Sequence, residues 1–107
     1  MPGIARTLQA AAALEAAINQ EKASGLGRTG AELERALAEC AQIAALWASA
    51  AASQRPELLA RYAAARASAV KLMWYLSVQQ EAIGVLNHDD LARQFPLPPS
   101  ALPDVND

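Results

Sequence analysis

The sequence predicts an all-α fold: an antiparallel three-helix bundle with a short fourth helix and an extended, Pro-rich C-terminal tail. Three observations lead there. Alanine makes up about a quarter of the 107 residues, while aromatic and β-branched residues are few, a mixture that favours helix over sheet. Apolar residues recur at three- and four-residue steps in three successive stretches. Between those stretches stand Gly25 and Gly27, then Pro56, residue types that stop and start helices. One bundle domain over residues 1–102, followed by a loose tail at 103–107, is the expected organisation.

The first helix is expected from about Gly3 to Ser24, with Ile4, Leu8, Ala11, Leu14 and Ile18 on one face. Gly25 and Gly27 would end it, and Thr29-Gly-Ala-Glu32 then reads as a capping box for the second helix. That helix should reach about Ser53. Its seam is Leu33, Leu37, Cys40, Ala44, Trp47 and Ala51, a heptad pattern with small residues in its lower half. A third helix from about Pro56 to Leu86 would carry Leu59, Tyr62, Ala63, Arg66, Ala69, Val70, Met73, Ser77 and Gln80 on one side. At 1.5 Å per residue it would span roughly 45 Å, against roughly 33 to 37 Å for the others, and overhang the bundle with Ile83, Val85 and Leu86. Asn87 would close it, and His88 or Asp89 would cap a short helix through Gln94. Prolines 96, 98 and 99 must hold the following segment extended, and Leu91, Phe95 and Leu97 would fold back over the overhang.

Composition narrows the functional classes. A net charge of −2 and a pI near 5.3, with the basic residues spread singly, argue against nucleic-acid binding. Cys40 is the only cysteine, which leaves no disulfide framework and no zinc spacing; it reads as a small apolar core residue. Gln9 and Glu15 interrupt the early alanine run, so the N-terminus does not resemble a signal peptide. No run approaches the roughly 20 apolar residues of a membrane span, and a reduced cytoplasmic setting is expected.

The stretch Lys71–Leu86 is apolar on nearly every side of a helix, yet holds Gln79, Gln80 and Glu81 in its middle. Such a helix has to be covered by its own domain or by a second copy. A bundle would bring Glu15 level with Arg66, and Lys22 within two turns of Gln80 and Glu81. Glu15, Glu21, Lys22, Arg66, Gln80 and Glu81 are therefore a candidate interhelical polar network. It reads either as ion pairs and amides that fix helix register or as the lining of a ligand site. His88-Asp89-Asp90 cannot surround a metal alone, and no inward Glu-x-x-His pair exists, so neither metal nor other cofactor is expected. Gly25-Leu-Gly-Arg-Thr-Gly30 lacks the preceding strand and Lys-Ser/Thr ending of a phosphate loop. No catalytic constellation emerges.

Glu21-Lys22-Ala23, Leu26-Gly-Arg-Thr-Gly30, Leu72-Met-Trp-Tyr75, Val78-Gln-Gln-Glu-Ala82 and Leu86-Asn-His-Asp-Asp90, followed by a Pro-rich end, form a recognisable order. Over about residues 14–100 the chain resembles a family of small uncharacterised bacterial proteins, a domain of unknown function. It departs from that pattern at Gln80, where Arg would be expected, and in a longer alanine-rich junction between the second and third helices. The resemblance implies a helical fold and a bacterial origin, and it transfers no catalytic residue. The functional expectation is a non-enzymatic interaction or structural protein that forms a homodimer through Leu72, Trp74, Tyr75, Leu76 and Ile83. The alternatives are a small secretion or assembly chaperone that covers a partner's amphipathic helix, and a ligand- or metal-binding bundle.

Overall fold

A computed structural model of the protein describes residues 2–103, with the side chain of Pro2 excepted. Of the expected loose tail at 103–107, residues 104–107 lie outside the described residues, and Pro103 is held by a hydrogen bond to its carbonyl from Trp47 Nε1. Of the described residues, 81% are helical and none lies in a strand, so the fold is all-α. Helix α1 spans Pro2–Trp47, a single 3₁₀ turn spans Ala52–Gln54, α2 spans Arg55–Ala82, and α3 spans Asp89–Gln94.

The expected first and second helices are one. α1 runs without interruption through Gly25, Gly27 and Gly30, and none of these glycines takes a positive φ. Each glycine costs the helix about 1 kcal/mol relative to alanine. Ending the helix there would instead leave four carbonyls and four amides seeking new partners. The alanines, leucines and glutamates on both sides are strong helix formers, and continuation wins. Thr29 and Glu32 are thus interior residues, not a capping box. The three-helix bundle is replaced by a two-helix hairpin.

The hairpin turns earlier than expected. α1 ends at Trp47, not near Ser53; the Ala51 amide donates to Gln54 Oε1 at 3.3 Å, and Pro56 stands in the first turn of α2 as expected. The Arg55 guanidinium lies 5.0 Å above the Trp47 ring, a cation–π contact that clasps the corner.

α2 also ends four residues before the expected Leu86. Gly84 adopts φ 91°, its amide donates to the Glu81 carbonyl (3.0 Å), and the Val85 amide donates to the Gln80 carbonyl (2.9 Å). These two bonds make a Schellman closure, which needs a left-handed residue and so needs glycine. The Asn87 side chain accepts from the Asp89 amide at 3.0 Å and turns the chain into α3.

Two apolar clusters hold the hairpin. Near the turn, Cys40, Ile43 and Trp47 of α1 pack with Leu58, Tyr62 and Ala65 of α2 and with Leu102. Further along, Leu33 packs with Ala69, Leu76, Leu91 and Phe95. The α1 seam was placed correctly at Leu33, Cys40 and Trp47, with Ile43 taking the role assigned to Ala44. On α2 Tyr62 and Ala69 are buried as expected, while Leu58 replaces Leu59, Ala65 replaces Arg66, and Leu76 replaces Ser77. In so alanine-rich a helix the phase of the apolar stripe is weakly encoded, and packing decides it.

The last described segment, residues 95–103, carries no helix or strand and lies along the hairpin. Phe95 and Leu102 are buried at its two ends. Between them the hairpin grips main-chain carbonyls. Arg66 Nε donates to Pro98 O (3.0 Å), Tyr62 Oη to Pro99 O (2.6 Å), and Trp47 Nε1 to Pro103 O (2.8 Å). As expected, Leu91 and Phe95 fold back, but onto the second cluster; Leu97 stays exposed, as do Ile83, Val85 and Leu86.

The overhang belongs to α1, not to α2. Trp47 is level with Leu58 and Lys22 with Ala82, so residues 2–21 of α1 continue past the end of α2 for roughly 30 Å. The molecule is a rod of 81 × 23 × 14 Å.

Candidate interaction site

The candidate polar residues do not form one network. Glu15 lies on the projecting part of α1, while Arg66 lies beside the first cluster and bonds Pro98, so the two are separated by roughly 35 Å along the helix axis and cannot pair. Lys22 does reach the end of α2, where Nζ donates to the Ala82 carbonyl at 3.4 Å; a cation there complements the helix C-terminus. Glu21 and Arg28 face each other at 3.9 Å on the exposed side of α1. Such an exposed pair contributes little to stability.

Gln80 and Glu81 meet a partner that the bundle picture had not assigned to them. His88 places Nδ1 3.1 Å from Gln80 Oε1 and Nε2 3.1 Å from Glu81 Oε1. One imidazole thereby ties the chain after Gly84 back to the last turn of α2. Among the described residues no group of three His, Cys, Asp or Glu side chains is arranged to hold a metal ion. Burial pushes the Cys40 thiol above its ordinary pKa, Glu39 adds to the effect, and Arg66 opposes it. Burial does the same to the Tyr62 phenol, with Cys40 adding and Arg66 opposing. A thiol kept protonated and covered is a packing group rather than a nucleophile.

The expected interface on the third helix divides. Leu76 is buried in the chain's own second cluster and Leu72 packs against it, so neither is free to meet a partner without cost to the fold. Trp74, Tyr75 and Ile83 are exposed. Trp74 borders an apolar groove of about 560 Å³ between α2 and the α3 segment, lined also by Val70, Met73, Leu91, Phe95 and Leu97.

An uncovered apolar surface also lies on α1. Ile4 is 59% exposed, Leu8 65%, Leu14 63% and Ile18 46%, values far above those of the same stripe further along, where Leu33 and Ile43 are 0%. At 100° per residue these four fall on the side of α1 that carries Leu33, Cys40, Ile43 and Trp47. These are the residues of the expected first-helix face, but no bundle core covers them, because α1 continues through the glycines and does not fold the segment back. Trp47, Tyr62 and Arg66, the three donors that hold residues 95–103, are not marked as a set by any sequence motif. The available signal was that Trp47 and Tyr62 must find acceptors if buried, while a Pro-rich segment offers carbonyls without competing amides.

Comparison with protein-family models, with curated proteins and with solved structures gives no match. No helix among the described residues is long and apolar enough to cross a membrane.

Proposed function

We propose that the chain is a non-catalytic helical interaction protein that pairs with a second copy through residues 4–22 of α1. The observation that supports this reading is the apolar stripe of α1, which continues past the end of α2 uncovered by any other of the described residues. A stripe in phase with a packed seam suits another helix. Antiparallel pairing with Ile4 of one copy level with Lys22 of the other would set Leu8 level with Ile18 across a two-fold axis near Ala13. Each copy's projecting helix would then follow on from the end of the other's α2, where Ile83, Val85 and Leu86 are exposed. Ala11 would lie level with Glu15 and leave its carboxylate room to reach water.

Sedimentation velocity over about 10–100 μM, a range matched to an interface of a few partly covered side chains, tests the reading. Dimer is expected for the wild type and monomer for Leu8→Glu, with helix content unchanged because Leu8 touches no core cluster. A wild-type monomer throughout that range overturns it.

The exposed Trp74 groove supports a second reading, an assembly chaperone that lays a partner's amphipathic helix against Val70, Met73 and Trp74. Trp74→Ala would then abolish capture of the partner while leaving self-association intact.

A further inference from the structure

The segment 95–103 lies in the hairpin as a ligand lies in a receptor, and the chemistry of the contact is particular. Four of its nine residues are proline. All three carbonyls that the hairpin holds belong to prolines: Pro98, Pro99 and Pro103. The donors are an indole, a phenol and a guanidinium, each projecting from α1 or α2 toward main-chain oxygen. A proline-rich segment suits such a surface for physical reasons. Its φ angles are fixed before it binds, so little entropy is lost, and its carbonyls have no neighbouring amides to satisfy them. Grooves lined by aromatic donors read proline-rich peptides in this way. The contact is also shallow, because Pro96, Leu97, Pro99, Ser100 and Ala101 remain exposed.

We propose that the α1–α2 groove carrying Trp47, Tyr62 and Arg66 is a binding site for a proline-rich segment of a partner protein, and that residues 95–103 occupy it in cis. The ligand class follows from the occupant: two consecutive prolines at the Arg66 and Tyr62 positions, then an aliphatic residue three positions on to fill the Leu102 place. The cis segment is tethered at a high effective concentration, so a partner must displace it, and its apparent affinity is reduced by the fraction of time the groove is closed.

The probe is a fluorescent peptide with the sequence of residues 95–103, read by anisotropy against the full chain. Leu102→Ser removes the apolar anchor of the cis segment, and Pro98→Ala with Pro99→Ala loosens it while leaving Leu102 and the carbonyl positions in place. Each form, checked for unchanged helix content, should bind the peptide at least about tenfold more tightly than wild type. Adding Tyr62→Phe or Arg66→Met to either should weaken binding about five- to tenfold, the loss of one hydrogen bond. A scrambled peptide without adjacent prolines should not bind. Absence of peptide binding to both released forms overturns the proposal, as does equal binding of the scrambled peptide. So does a wild-type dimer that both releasing variants abolish while Leu8→Glu does not, which would place the segment in a second copy's groove.

Discussion

Gly84 and Gly27 are the same residue type under opposite constraints, and substituting each reports which one. Gly84 holds φ 91° and closes α2, a conformation in which a Cβ meets the following carbonyl. Gly84→Ala should lower unfolding stability by about 1 kcal/mol in urea titrations. Gly27 lies inside α1 with ordinary helical geometry, and a Cβ built there meets nothing within 4 Å. Gly27→Ala should therefore raise stability by about 0.5–1 kcal/mol. The opposite pair of signs would mean that α1 bends at Gly27. Cys40 and Tyr62 give a pH dependence whose sign follows from burial. Both hold their protons more tightly folded than unfolded, so their stabilising effect is complete below the ordinary thiol range. It is lost as the pH climbs through their raised values, because the unfolded chain then ionises first. Urea midpoints should fall on the alkaline side, and Cys40→Ala should flatten the part of that fall that begins in the ordinary thiol range.

At the scale of the element, α1 is two structures on one helix. Residues 26–47 carry every α1 side chain of the two clusters, whereas residues 3–21 carry none. A chain beginning at Lys22 should therefore keep the cooperative unfolding of the hairpin, with its denaturant midpoint nearly unchanged, and lose self-association. Loss of cooperative unfolding would show that the projecting segment folds back in solution. Hydrogen exchange should tell the same story, with amides of 5–20 exchanging faster than those of 33–47 in dilute protein. How far each element was legible in the sequence follows from the strength of its local code. The seam Leu33–Cys40–Trp47 and the start at Pro56 were readable, because large apolar residues and proline have few alternatives. The stop at Gly25 and Gly27 was misread: glycine permits a helix end without requiring one, and the deciding term is whether a capping geometry outcompetes continuation. Gly84 was overlooked for the converse reason. It sits in a run so apolar that the pattern continued through it, and only the Gln80 and Glu81 carbonyl bonds reveal the closure. The polar candidates followed from levels counted in a three-helix bundle. Lys22 kept its neighbourhood with the end of α2, but Glu15 lost Arg66 once two helices became one.

The shape of the whole molecule provides the sharpest test of how copies meet. A compact chain of this length would have a radius of gyration of about 13 Å, whereas this one has 20.9 Å and an 81 Å long axis. The excess comes from the projecting third of the rod, so each way of pairing two copies leaves a distinct length. Side-by-side pairing through α2, by way of the exposed Trp74 and Tyr75, would thicken the rod and leave its maximum dimension near that of one copy. Antiparallel overlap of residues 4–22 shares only about 30 Å between copies and should give a rod about 130 Å long with little gain in width. The same overlap covers Ile4, Leu8, Leu14 and Ile18 on both copies, a stripe that pairing through α2 would leave in water. Small-angle scattering on the eluting dimer decides between them. A maximum dimension near 130 Å, collapsing to about 80 Å in Leu8→Glu, is the expected outcome. A dimer no longer than about 90 Å would return the interface to α2 and leave the projecting helix for a different partner.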